Sequence, residues 1–310
     1  MTSGKYQQHR SLPTGHTEPL NTVRFSDDGV YMATGSDDCW VKIWSVDKWT
    51  LTQTLDPGLG PVTAAEWLCQ GSVHWLIVGG ASGSVQLWKS SLGQASLRYS
   101  IIEQPFDYMA MYAVFDPQIE AIAIRGAQGA LAIVGRGRLA LLRLTWDEPG
   151  LNVTSRQLEP SLLSPAGTSL ARSVHFFNSG KSLMVGHLDS KQMVAWNIDP
   201  WARLWTQTFR KPIGGTAWSP ETRRLLIWNL DDGVDVYQLQ QSGRLLHVIL
   251  LKVEVKHYFP KLLGFGQQGK LALFGGDMGD VYVWDIDSGN LLQTLAHGSR
   301  YFPDRASLPA

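Results

Sequence analysis

The sequence predicts an all-β chain assembled from repeated blocks of four short strands, and three observations carry that expectation. Apolar and polar residues alternate with period two in short runs, the pattern of strands that bury one face. Clusters such as Ser26-Asp27-Asp28-Gly29 and Gly35-Ser36-Asp37-Asp38 punctuate the runs with residues that favour turns. The 310 residues include 13 Trp, where ordinary usage would give about four, and several of them close the third run of a block.

The best-formed block spans 15–55, with runs at Leu20 to Phe25, Tyr31 to Thr34, Val41 to Trp44 and Trp49 to Leu55. A second block, 60–102, repeats the plan with Val62 to Trp67, Trp75 to Val78, Val85 to Trp88 and an outer run at Ala95 to Ile102. The third, 106–158, is degenerate: Ala110 to Phe115, Ile119 to Ile124, Leu131 to Val134 and Leu139 to Leu144 compete for three inner positions. Blocks at 170–209, 213–253 and 258–295 follow, closing their third runs at Trp196, Tyr237 and Trp284. Five intervals separate Trp44 from Trp284, about 48 residues each, slightly above the roughly 40–45 usual for four-stranded repeats.

These blocks resemble blades of the WD-repeat β-propeller family over residues 5–297, most closely in the first and last blocks. The resemblance implies a buried polar chain: a Trp indole ending the third strand donates to a hydroxyl on the second. That hydroxyl meets a His from a preceding Gly-His step, and an Asp in the next turn holds the other His nitrogen. In the first block the matching residues are His16, Thr34, Asp38 and Trp44. The second block departs from this, with Gly60-Pro61 for Gly-His, Val78 for the hydroxyl and Ser82 for the Asp. The sixth has Phe274 for the hydroxyl, though Trp284-Asp285 keeps the Trp-Asp pair.

The strand count does not close. Each of the six blocks has its own outer run, so 5–12 is an orphan outer strand. In a seven-blade ring it would complete a blade whose inner strands follow Leu295, where only 15 residues with two prolines remain, too few for three strands of about five residues. The expectation is a seven-blade design with an incomplete last blade, an irregular tail at 298–310, and self-association through the unfinished edge. The alternative is a closed six-blade ring.

Lys plus Arg and Asp plus Glu number 27 each, so no global field draws the chain to nucleic acid or anionic lipid. No apolar run approaches a membrane span and the N-terminal stretch lacks a signal-peptide core, which predicts cytoplasmic or nuclear residence and no membrane partner. Cys39 and Cys69 read as buried free thiols, and Asn152-Val153-Thr154 as an unmodified triplet. Gly264, Gly266 and Gly269 have dinucleotide-loop spacing but run into a strand where that loop needs a helix. Gly135-Arg136-Gly137-Arg138 reads as a solvated turn. The eight His show no ligand spacing, the paired acids fall in turns, and no Gly-x-Ser-x-Gly elbow occurs, so the sequence predicts no metal, cofactor or catalytic residue.

The expected function is a non-catalytic scaffold that binds other proteins' peptide segments and joins multiprotein complexes. The resemblance puts such segments on the face formed by strand-one entries and the turns between strands two and three. Aligning blocks places Pro19, Asn21 and Asp37, then Arg172 and Leu188, then Phe259 and Lys261 there. Arg172 and Lys261 beside Phe259 would suit a peptide with an acidic and an apolar side chain. The alternatives are a nucleic-acid-associated or chromatin-type propeller, or a propeller hydrolase with convergent acids and His at the channel mouth.

Overall fold

A computed structural model of the chain describes residues 6–7, 12–13, 15–71, 73–90, 99–101, 118–125, 129–135, 138–147, 150–159 and 169–296. Its strands form six four-stranded antiparallel sheets, each a simple meander. The first contains β1 (Leu20–Phe25), β2 (Tyr31–Ser36), β3 (Val41–Ser45) and β4 (Thr50–Leu55). The second contains β5 (Val62–Gln70), β6 (Val73–Gly80), β7 (Val85–Ser90) and β8 (Tyr99–Ile101). The third contains β9 (Ile119–Arg125), β10 (Ala130–Gly135), β11 (Arg138–Asp147) and β12 (Gly150–Glu159).

The fourth sheet is built from β13 (Ala171–Phe177), β14 (Ser182–His187), β15 (Gln192–Asn197) and β16 (Ala202–Thr208). The fifth has β17 (Gly215–Ser219), β18 (Arg224–Trp228), β19 (Gly233–Leu239) and β20 (Leu245–Lys252). The sixth has β21 (Leu263–Gly266), β22 (Leu271–Gly275), β23 (Asp280–Asp285) and β24 (Asn290–Ala296). Contacts divide the chain into two compact units, one of Leu12–Phe209 and one of Met1–Ser11 with Arg210–Ala310.

The degenerate third block is resolved by register. Leu131 pairs with Leu142 and with Ile124, which makes β10 the second strand. Leu144, which ends the last of the competing runs, pairs with Val153 on β12. Ala110 to Phe115 and Ala95 to Arg98 lie outside the described residues.

Within the first unit, apolar faces of neighbouring sheets interdigitate. Ala33, Ile43 and Trp44's neighbours on the first sheet meet Val62, Trp67, Leu76 and Val78 on the second. Ile77 and Leu87 meet Ile122, Leu131 and Ile133 on the third, and Leu139 with Ala132 meets Val174, Leu183 and Val194 on the fourth. Second strands are buried almost throughout, whereas fourth strands such as β16 are largely exposed. The alternation in the sequence is therefore a core against adjoining sheets, not against a separate layer.

Two glycines show how closely sheets approach. A Cβ on Gly35 would lie 2.4 Å from Val62 Cγ1, and one on Gly79 would lie 2.7 Å from Ile119 Cγ2. Both follow the hydroxyl position of the second strand, so only a residue without a side chain admits the next sheet there. In the second unit Trp228 packs on Phe274, linking the fifth and sixth sheets.

Of the expected orphan strand, Tyr6, Gln7 and Leu12 are described and lie in no strand. Tyr6 is nevertheless clasped by the last sheet. Its N–H donates to Gln293 Oε1 at 2.8 Å, and Gln293 Nε2 donates to its carbonyl at 2.6 Å. A side-chain amide on β24 thus satisfies a backbone that would otherwise need a partner strand. The described residues contain no seventh sheet.

Candidate interaction face

In the first sheet, strand register brings the polar chain together. Thr34 lies on β2 and Trp44 on β3, two residues apart across the ladder, while His16 and Asp38 flank the sheet at its entry and turn. Trp44 Nε1 donates to Thr34 Oγ1 at 3.2 Å, His16 Nε2 lies 3.0 Å from the same oxygen, and His16 Nδ1 lies 2.8 Å from Asp38 Oδ2. Thr17 N–H and Trp40 N–H also donate to Asp38. Burial opposes ionisation of Asp38, but the bonds from Trp40, His16 and Thr17 prevail and hold its carboxyl below the ordinary range. Every donor in this chain has an acceptor, which ties the entry loop to the inner strands.

The second and sixth sheets lack this arrangement. The indole N–H groups of Trp88 and Trp284 are buried without a hydrogen-bond partner among the described residues, as expected where Val78 and Phe274 replace the hydroxyl.

The entry and turn positions meet one another. Asn21 Nδ2 donates to Asp37 Oδ1 at 2.7 Å and to the Val62 carbonyl at 3.0 Å. Lys261 pairs with Asp277, and its ammonium lies 4.4 Å from the centre of the Trp228 ring. Arg172 pairs with Glu120 on β9. Both cations expected to suit an acidic peptide side chain thus face carboxylates of their own chain. Pro19 is exposed and Leu188 half-buried, while Phe259 is 58% exposed.

Sequence reading missed the setting of Phe259. Asp277 accepts from the N–H groups of Lys256 and His257 as well as from Lys261. Burial works against its charge, yet these bonds keep its carboxyl below the ordinary range. One carboxylate thus fastens the 254–262 segment at three points. On that segment and beside Asp277, Tyr258, Phe259, Leu262 and Met278 are 64%, 58%, 54% and 66% exposed. The equal offset of 16 residues in Asn21 to Asp37 and in Lys261 to Asp277 was the available signal that these positions engage each other.

First strands of adjoining sheets in the first unit carry further ion pairs. Arg24 Nε lies 2.8 Å from Glu66 Oε1, although burial is the larger influence and lifts the Glu66 carboxyl above its usual range. Burial, with the Arg24 charge assisting, pushes the His175 imidazole down to about 4. Trp201, outside the anchor positions, stacks on Trp196 with ring centres 6.2 Å apart. Cys39 and Cys69 are free and half-buried. Asp28, Cys69 and His74, which no sequence spacing connected, converge with ligand atoms within 4.8 Å of one another.

Comparisons with known proteins agree with this architecture. A profile of the family described as WD domain, G-beta repeat matches residues 7–45. The F-box-like/WD repeat-containing protein TBL1X of Mus musculus is 28% identical over 95 residues, 29% of this chain and 18% of that protein. The periodic tryptophan protein 2 homolog of Dictyostelium discoideum is 35% identical over 72 residues, 23% of this chain and 8% of that protein. The matched segments are thus less than a fifth of these relatives' lengths. The crystal structure of the Cps50 (Swd1) β-propeller domain from Myceliophteria thermophila superposes with a TM-score of 0.70 at 16% identity, covering 91% of this chain and 88% of that one.

The fold is an all-β propeller of four-stranded antiparallel blades. In its matched repeat and in these relatives the chain is similar to the WD-repeat β-propeller family.

Proposed function

We propose that the chain is a non-catalytic interaction scaffold that binds peptide segments of other proteins and brings them into multiprotein complexes of the cytoplasm or nucleus. The observation that carries this reading is the exposed set Tyr258, Phe259, Leu262 and Met278 on a segment that Asp277 fastens. Large apolar side chains displayed on a pre-organised backbone give contact area at little ordering cost, the property of interface anchors. The non-catalytic part is supported by the inner-strand carboxylates Glu66 and Glu120, each of which faces an arginine. In the first unit, taken by itself, Pro19 and Leu188 are proposed contact residues, and the Asn21-Asp37 and Arg172-Glu120 pairs position the backbone around them. Lys261 acts as a clamp for Phe259.

The seven-blade design and pairing through an unfinished edge belong to this proposal. Exposed Leu20, Phe25 and Val30 on the first sheet support it, as does the half-exposed β23 of the sixth.

Selection of displayed random peptides on the purified chain tests the reading. Enriched apolar or aromatic peptides that no longer bind Tyr258→Ser or Phe259→Ser, while both variants keep the wild-type unfolding midpoint, would support it. No enrichment, or enrichment indifferent to both substitutions, refutes it.

A further inference from the structure

The cluster of Asp28, Cys69 and His74 joins the first two sheets. Its core is fixed by strand pairing: Cys69 on β5 and His74 on β6 are direct register partners near their hairpin. Side chains of such partners project from the same face about 5 Å apart, so the ladder sets the sulfur and the imidazole side by side. Asp28 comes from the β1–β2 turn of the neighbouring sheet, and its Oδ2 lies 2.6 Å from His74 Nε2.

Each of the three groups is held from behind. Asp28 Oδ1 accepts from Ser26 Oγ at 2.6 Å and from Val30 N–H at 3.1 Å, which leaves Oδ2 for the cluster. The His74 ring stands edge-on to Tyr31 and to Trp67, with centres 5.0 and 6.5 Å away, while its backbone N–H donates to Ser90 Oγ. Cys69 is approached by the backbone N–H groups of Asp27 and Asp28, although burial is the larger influence and holds its thiol above the ordinary range. Supporting contacts behind each donor are what metal ligands require.

We infer that Asp28, Cys69 and His74 form a binding site for a zinc-class divalent cation that pins the first sheet to the second. Carboxylate oxygen, thiolate sulfur and imidazole nitrogen are the three donor types of zinc sites, and three protein ligands leave a fourth position for water. Tetrahedral coordination with metal–ligand distances of about 2.0–2.3 Å separates donor atoms by roughly 3.3–3.8 Å. The present spread, from 2.6 Å for the Asp28–His74 hydrogen bond to within 4.8 Å overall, brackets that range. The exposed turn bearing Asp28 is the element free to adjust. On binding, the Cys69 thiol loses its proton to solvent, and the proton between Asp28 and His74 leaves Nε2 for Nδ1 of the same ring, which frees Nε2 and the Asp28 carboxylate for the metal.

Cobalt titration of the full chain under reducing conditions tests the site, since a thiolate ligand gives cobalt an intense charge-transfer absorption that oxygen and nitrogen ligands do not. The wild type should develop that band with one equivalent of cobalt and lose it to one equivalent of zinc. Cys69→Ser and His74→Gln should abolish the band, and Asp28→Asn should weaken affinity by at least about tenfold. Cys39→Ser should leave it unchanged. Unfolding midpoints of the metal-free variants identify any that fail to fold, and Asp28→Asn, on an exposed turn, keeps the test informative if His74→Gln is one of them. Absence of the band in the folded wild type, or a band indifferent to Cys69→Ser and Asp28→Asn, overturns the inference.

Discussion

The first and second sheets share one strand plan and differ in what receives the indole at the end of the third strand. Trp44 and Trp88 are equally buried, at 4% and 5% exposure. The Trp44 N–H reaches Thr34, whose oxygen also meets His16 and through it Asp38. The Trp88 N–H finds no acceptor among the described residues, because Val78 stands where Thr34 does. Both sheets are filled by the same interlocking apolar core, so the difference shows that apolar packing defines the blade. The polar chain is an addition that fastens the entry loop. A buried unpaired N–H costs about 1–3 kcal/mol, and the second sheet tolerates this because Trp67, Leu76 and Val85 still bury fully.

The largest effect expected is one the two sheets share. Trp44→Ala and Trp88→Ala should each destabilise the chain by about 3–5 kcal/mol in chemical denaturation, the range for removing a buried aromatic. A Trp88→Ala cost near zero would show that the second sheet is not held by packing.

A comparison of the first and fourth sheets gives the next effect. Ser36 and His187 both end a second strand just after its glycine and are buried. Ser36 Oγ donates to the Glu18 carbonyl and accepts from Asp38 N–H, whereas neither ring nitrogen of His187 has a partner among the described residues. Burial pushes the His187 imidazole from 6.5 down to about 4. The unfolded chain therefore binds its proton first. The stability from a neutral His187 is complete above about pH 6.5 and is lost as pH falls toward 4, by about 2–3 kcal/mol at the lower end. His187→Ser should flatten that part of the stability profile relative to wild type, and parallel profiles would contradict the assignment.

Breaking the polar chain should cost less. His16→Ala or Asp38→Ala is expected to lower stability by about 1–3 kcal/mol, because each strands a buried partner. Since the folded chain holds the Asp38 carboxyl below its ordinary value, its contribution is present above about pH 4 and lost as pH falls through the folded value. The difference between wild type and Asp38→Ala should accordingly shrink in strong acid.

How far the molecule could be read from its sequence follows from the range of the contacts. The four-strand plan and the residues of the polar chain are set by spacing inside one block, so alternation, turn residues and the Gly-His step exposed them. The third block was unreadable because four apolar runs fit three positions and only register separates them. The partners of the cations differ in reach: Arg172 is placed by its entry position, and its carboxylate, Glu120, comes from another sheet. Lys261 is clamped within its own block, at a spacing that the Asn21–Asp37 pair repeats. The Asp28, Cys69 and His74 cluster needs one turn from a neighbouring sheet, and no periodicity within a block announces such a meeting.

In the first two sheets a hydroxyl at one position of the second strand decides whether the indole is satisfied. Exchanging the two residues measures it directly, with Thr34→Val and Val78→Thr denatured side by side with wild type. Thr34→Val should lose about 1–3 kcal/mol, as it leaves the Trp44 indole and His16 without their shared oxygen. Val78→Thr should gain about 0.5–1.5 kcal/mol by giving the Trp88 N–H an acceptor. Opposite signs are the predicted result, and equal losses from both substitutions would contradict it.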